Sequence, residues 1–157
     1  MTRDRFARLV EEALTRIPQR FRDAMHNVAV IVEDEPSQEM LDEQEMEPGD
    51  TLFGLYEGIP LPERGAGYGN ALPDRISIYQ IPIEDACSDD EEIRQCVAET
   101  LIHEFGHYFG MTEEEIEEIE AKYWNLTTED TDEKRSLLFE TYLCPLYFLG
   151  VLCGSSL

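Results

Sequence analysis

The sequence has few basic residues. Its 157 residues include 12 Lys and Arg against 35 Asp and Glu, so the formal net charge is −23 at pH 7. Nucleic-acid backbones and anionic membrane surfaces are bound through clusters of Lys and Arg. The shortage of cations therefore argues against nucleic acid and against a membrane surface as the main partner of this protein.

Long apolar runs are also missing. The longest, residues 142–153, has 12 residues and contains Pro145, whereas a membrane-spanning helix needs about 20 apolar residues. No apolar segment of the kind found in secretory signals lies near Met1. We therefore expect a cytoplasmic protein with no membrane span. Residues 142–153 are then expected to be a buried element or an interface. A weaker hypothesis is that residues 137–153 form a homodimer interface or dock a partner.

Cysteine is sparse and dispersed. The four cysteines include no CxxC pair, which is the usual spacing of paired thiolate ligands. In a cytoplasmic protein they should remain reduced thiols. The cysteine pattern therefore argues against a cysteine zinc site and against a disulfide framework.

The apolar patterns in the first half of the chain predict one helix and three strands. Apolar residues recur at helical spacing over residues 3–17, and Pro18 ends this helix. Short apolar runs predict strands at 27–32, 52–57 and 75–81. The acidic stretch 35–50, which has prolines near both ends, predicts a solvated loop or a short surface helix.

Capping signals predict two consecutive helices in the second half. Ser88 and Glu91 have the spacing of a capping box, and Gly110 marks the end of the helix that this box opens. Thr112 and Glu115 repeat the signal and open a helix that runs to about Tyr123. A further helical pattern covers residues 131–144. The predicted fold is α+β, with an N-terminal helix, a sheet of three to four strands and a helical C-terminal extension.

The residues with recognisable chemistry are concentrated in one pentapeptide of the first of these two helices. Two of the three histidines lie in an HExxH motif formed by His103, Glu104 and His107. Histidines at i and i+4 project from one face of a helix, and this spacing lets both bind one Zn²⁺. Glu104 follows the first ligand and can take a proton from a metal-bound water. The alternative interpretation is a buried helix with two core histidines.

The third ligand has to come from outside the motif. Gly110 allows a sharp turn at the helix end, and this turn can bring Glu113 back towards the metal. Acids in the first turn of a helix are also common simply because they complement its dipole. Glu117 and Glu140 therefore remain competing donors.

The pattern HExxHxxGxxE after one helix and three short strands resembles the minimal zincin-like metallopeptidase family of bacteria. Residues 28–36, 52–64 and 75–83 also resemble strand and loop segments of that family, in the same order. The resemblance covers about residues 3–123 and implies a compact zincin-like core with metal-dependent hydrolase activity. The family typically carries Asp where this chain has Glu113. We therefore expect a metallopeptidase domain at 1–124 and an extension at 125–157 that packs on it or serves association.

Two functional hypotheses follow. The first is a zinc-dependent peptidase with one Zn²⁺ per chain, bound by His103, His107 and Glu113, which acts on peptides or flexible protein segments with Glu104 as general base. The alternative is a zincin-fold module for metal binding or protein interaction with little or no catalytic activity. Glu104 distinguishes them, because only the peptidase needs it.

Four other side chains have weaker claims. Tyr68, Tyr79 and Tyr108 could each donate a hydrogen bond to an oxyanion, but a packing role is favoured for each. Arg64 could bind a substrate carboxylate or a structural Asp, and the structural role is favoured.

Overall fold

The computed structural model describes residues 1–17, 19–47, 49–65 and 72–124. Within these ranges it contains six α-helices and a three-stranded sheet, so the predicted α+β class is confirmed. None of the helices in these ranges is long and apolar enough to cross a membrane. The predicted extension at 125–157, its helix at 131–144 and the dimer interface at 137–153 lie outside the described residues and stay predictions.

The N-terminal helix α1, Arg3–Arg16, packs against the long helix of the HExxH motif. Its buried side chains repeat every three to four residues, as the sequence predicted, and they are Phe6, Leu9, Val10 and Ala13. The Thr2 side chain caps its first turn by accepting from Arg5 N–H. A short helix α2, Gln19–Ala24, follows, which the sequence did not predict.

The sheet is small and mixed. Its strands are β1 (Val28–Glu33), β2 (Gly54–Glu57) and β3 (Asp74–Tyr79), and their order is β1-β3-β2. The central strand β3 pairs parallel with β1 and antiparallel with β2. Because β3 is the central strand, most of its side chains are buried. In the chain, β1 is followed by the short helix α3, Gln38–Glu43, and then by β2. Helix α3 has no buried residue, as the surface-helix alternative for residues 35–50 predicted.

The third strand ends earlier than predicted. The sequence placed it at 75–81, but β3 ends at Tyr79 and helix α4, Gln80–Ala86, begins with the next residue. Pro82 explains the change, because proline cannot donate to a central sheet ladder but is tolerated in the first turn of a helix. Ile81, which the prediction placed at the end of the strand, is 45% exposed on this helix.

The motif helix α5, Asp90–Phe109, is the longest element described and contacts α1, α4, β2, β3 and the helix that follows it. Its cap is Asp89 and not the predicted Ser88. The Asp89 side chain accepts from the N–H groups of Glu91 and Glu92, while Ser88 N–H donates to the Glu92 carboxylate. Helix α5 therefore starts one residue later than the prediction placed it, and Glu92 instead of Glu91 reaches back to the backbone ahead of the helix. The helix ends at Phe109 as predicted.

The last described helix, α6 (Glu113–Trp124), begins at the predicted capping box. Thr112 N–H donates to the Glu115 carboxylate over 2.9 Å, and Glu115 N–H donates to Thr112 Oγ1 over 3.4 Å. Between the two helices Gly110 has a φ of +78°, in the left-handed region that favours glycine. This single residue reverses the chain and lays α6 back along α5.

Candidate metal centre

The two motif histidines and Glu113 converge in the structure. His103 and His107 lie one turn apart on α5, with ring centroids 4.8 Å from each other. Nε2 of His103 lies 3.7 Å from Glu113 Oε2, and Nε2 of His107 lies 3.4 Å from Glu113 Oε1. Within the part of the chain that the structure describes, these residues form a group whose potential ligand atoms all lie within 4.8 Å of one another.

The turn at Gly110 places Glu113 in this group, as the sequence argument expected. Because α6 starts directly after the turn, its first residue faces the end of α5 that carries His107. The competing donor Glu117 is exposed on α6 and is not a member of the group. The other competitor, Glu140, lies outside the described residues.

The chemistry of the group fits zinc. Two imidazole nitrogens and one carboxylate oxygen are one of the donor sets found in catalytic zinc sites, which keep a fourth position open for water or substrate. The side chains are also accessible, since those of His103 and His107 are about one-third exposed and that of Glu113 is two-thirds exposed. A cation could therefore reach the group from solvent without any change in the fold.

Glu104 is buried beside the group, with 6% of its surface exposed. Its Oε2 accepts a hydrogen bond of 2.7 Å from the backbone N–H of Tyr56 on β2. Burial raises the pKa of Glu104 to about 7, although the charge on His103 and the Tyr56 bond act in the opposite direction. A divalent cation nearby would lower this pKa, because it favours the carboxylate form.

Glu120 is a site residue that the sequence analysis missed. Its Oε1 lies 3.2 Å from Nδ1 of His103, on the side of the ring away from Glu113. This bond raises the pKa of His103, whereas burial lowers the pKa of His107. The only signal in the sequence was spacing, since Glu120 follows Glu113 by seven residues and so lies two turns further along the same face of α6.

A cleft of about 510 Å³ opens onto the three-residue group, and a second of about 280 Å³ lies on the other side of His103 and Glu104. Both fall near the size range of small-molecule and peptide-side-chain sites. The first cleft includes Glu63 and Glu113 in its wall, and the second includes Glu99 and Glu120. The surroundings of the group are therefore acidic as well as open.

A comparison of the sequence with known protein families identifies the family of this chain. The model of a family described as zincin-like metallopeptidase matches residues 25–123, more than half of the chain. The chain belongs to this family. Comparison with curated proteins gives no match. The resemblance that the sequence analysis found over about 3–123 is thereby confirmed for residues 25–123.

Membership of the zincin-like metallopeptidase family indicates the general class of activity and cofactor for this site. The family implies a hydrolase with a zinc cofactor, and the group formed by His103, His107 and Glu113 is a possible place for that zinc. The match by itself names neither a substrate nor the catalytic residues.

Three of the remaining predicted side chains, Arg64, Tyr79 and Tyr108, support the zincin-like core instead of lining its cleft. Arg64 forms a buried ion pair with Asp74, as the structural interpretation predicted, and Asp74 also accepts from the Tyr56 hydroxyl over 2.6 Å. Tyr79 and Tyr108 are fully buried, which agrees with their favoured packing role. Tyr68, the third candidate oxyanion donor, lies outside the described residues.

Proposed function

We propose that this protein is a zinc-dependent metallopeptidase that hydrolyses peptide bonds, with one Zn²⁺ bound by His103, His107 and Glu113. The observation that carries the proposal is the meeting of three suitable donors beside a buried carboxylate, Glu104, at the floor of an open cleft. The family to which the chain belongs supports the same class of activity.

Each residue of the site has a defined task in such a reaction. When bound, Zn²⁺ polarises the scissile carbonyl and makes a water at the site more acidic. Glu104 accepts the proton of the attacking water and then passes it to the leaving amine. The Tyr56 N–H holds one oxygen of the Glu104 carboxylate in place, so the side chain does not have to be ordered during the reaction.

The cleft supports a peptide or a flexible protein segment as substrate. Glu104 is buried, so a scissile bond has to enter the cleft to reach it, and a folded chain cannot easily do this. The net charge of −23 and the acids in the cleft wall attract cationic peptides before contact. This attraction raises the encounter rate and does not by itself define a cleavage sequence.

The function is tested by removing both imidazoles. Protein purified without added zinc or a histidine tag should contain one zinc per chain and should cleave members of a peptide library. The double variant His103→Ala/His107→Ala should contain no stoichiometric zinc and should cleave none, while circular dichroism shows that helices remain. Stoichiometric zinc in the double variant would contradict the proposed site.

Replacing Glu113 tests the third ligand. We expect Glu113→Ala to weaken zinc binding by at least about tenfold, since the loss of even an outer partner of a ligand costs about 10–100-fold. Glu113→Asp should retain zinc, because it keeps a carboxylate that is one methylene shorter. Affinities are measured by competition with a chelating dye, with the exposed Glu117→Ala on the same helix as matched control. Equal affinities for Glu113→Ala and the control would place the third ligand elsewhere.

A further inference from the structure

Glu120 contacts Nδ1 of His103, the ring nitrogen that the proposed zinc site leaves unused. His103 points Nε2 towards Glu113 and Nδ1 towards Glu120, at 3.7 Å and 3.2 Å respectively. The two carboxylates therefore lie on opposite sides of one imidazole. Both belong to α6, and neither is supplied by the HExxH motif.

Packing, and not a chance side-chain orientation, holds α6 where this contact forms. Ile116 and Ile119 are buried and lie between Glu113 and Glu120 in sequence. A Cβ built on Gly106 would lie 2.5 Å from Cγ1 of Ile116, so the absence of a side chain at Gly106 lets α6 approach α5 closely. The Glu120 side chain is itself 27% exposed, so its own packing does not fix it fully. The position of the α6 backbone is what brings its carboxylate to His103.

The contact has a chemical consequence for the ring. A carboxylate only accepts hydrogen bonds, so it favours the tautomer of neutral His103 that carries its proton on Nδ1. In that tautomer Nε2 has a free lone pair, directed towards Glu113 and His107. An imidazole without such a partner favours the opposite tautomer, in which the proton occupies Nε2 and has to be moved before a metal can bind there.

We infer that Glu120 is a positioning residue, which accepts the Nδ1 proton of His103 and so presents Nε2 of that ring to the metal. This inference rests on the proposed function, because it assigns Glu120 a role towards the zinc ion proposed above. It makes α6 a functional element of the site with two carboxylates seven residues apart, one that binds the metal and one that orients a histidine ligand.

The test uses the tautomer of His103 in metal-free protein together with the affinity for zinc. ¹⁵N-histidine-labelled wild type, Glu120→Ala, Glu120→Gln and the control Glu117→Ala are compared by NMR at roughly pH 9, where imidazoles are neutral. The ¹⁵N shifts report which ring nitrogen carries the proton. Zinc affinity is then measured for each protein by competition with a chelating dye.

We expect His103 to carry its proton on Nδ1 in wild type and in Glu117→Ala, and mainly on Nε2 in Glu120→Ala. Zinc affinity should fall by about 10–100-fold in Glu120→Ala and stay unchanged in the control. Glu120→Gln should lie between them in both measurements, because its amide can accept from Nδ1 or donate to it.

Three results would overturn the inference. If Glu120→Ala keeps the wild-type tautomer and affinity while wild type binds zinc, Glu120 has no positioning role and the proposed function stands. If wild type binds no zinc, the positioning role and the proposed function both fail, whatever the tautomer. If Glu120→Ala does not fold, Glu120→Leu decides, because it keeps most of the side-chain volume and offers no acceptor to Nδ1. A wild-type tautomer and affinity in that variant would refute the role.

Discussion

Replacing Glu104 with Gln should lower peptide hydrolysis by at least about a hundredfold and leave zinc bound. A positioned general base contributes typically 10²–10⁴-fold to such a reaction, and Gln removes the proton-accepting oxygen with almost no change in shape. The Gln carbonyl can still accept the Tyr56 N–H, so the side chain should stay in place. The measurement is kcat/KM on a peptide that wild type cleaves, together with zinc content.

The outcome separates the two functional hypotheses. If Glu104→Gln cleaves the peptide as fast as wild type does, Glu104 is not the general base. If zinc-loaded wild type cleaves nothing in a broad peptide screen, the alternative of a metal-binding or interaction module is the better description. A variant that loses zinc as well as activity would not fit the role given to Glu104, because that role excludes binding of the metal.

The same variant should show a pH-dependent gain in stability when the protein is free of metal. Burial raises the pKa of Glu104 from 4.5 to about 7, so the folded state holds this proton more tightly than the unfolded state does. Wild type therefore loses stability as pH rises from about 4.5 to about 7, and Gln removes the loss. The free energies of unfolding should agree at pH 4.5 and should favour Glu104→Gln at pH 8. A constant difference across this range would show that ionisation of Glu104 is not the cause.

Replacing Asp74 with Ala should destabilise the fold by about 3–5 kcal/mol, the usual cost of leaving one partner of a buried ion pair alone. The side chains of Asp74 and Arg64 are only 4% and 8% exposed. The variant leaves the Arg64 guanidinium buried against the Tyr108 ring, 4.7 Å from its centroid, and leaves the Tyr56 hydroxyl without its carboxylate acceptor. Urea unfolding followed by circular dichroism measures the loss.

An exposed ion pair of the same sheet provides the matched control. Glu57 pairs with Arg75 across β2 and β3, and both side chains are about 40% exposed. Glu57→Ala should cost no more than about 1 kcal/mol. Removing both buried charges, in Arg64→Leu/Asp74→Leu, should recover much of the loss of Asp74→Ala. If Asp74→Ala costs no more than Glu57→Ala, the buried pair does not stabilise this fold.

Part of the candidate site could be predicted from local sequence. The spacing of His103 and His107 places both imidazoles on one helix face in any α-helix, whatever surrounds it. Gly110 and the Thr112–Glu115 capping box define where α5 ends and α6 begins, and the distances involved span only a few residues. The placement of Glu113 beside the histidines follows from that short turn, which is why it could be expected before the structure was known.

Other features could not be predicted, either because a local pattern fits two structures equally well or because the residues involved meet only in the folded chain. The predicted Ser88 cap was wrong by one residue. Asp89 is an equally good capping residue, and only the structure shows that α5 begins after Asp89. The end of β3 was misplaced because periodicity over a few residues does not distinguish a strand from the first turn of a helix. The partner of Arg64 could not be identified from the sequence. Asp74, the first residue of β3, comes within reach of Arg64 only when β3 has paired with β2 in the folded protein.

The order of residues alone sets the chemistry available to this protein: a strongly acidic chain, two histidines one helical turn apart, a glutamate six residues after the second, and a glycine between them that turns the next helix back. Packing sets how that chemistry is arranged. The burial of Glu104 under β2, the bond from Tyr56 that holds it and the contact of Glu120 with His103 all require segments that are distant in sequence to pack together. Local spacing defines which groups share one helix face, whereas only packing defines what lies opposite that face and how much water reaches it.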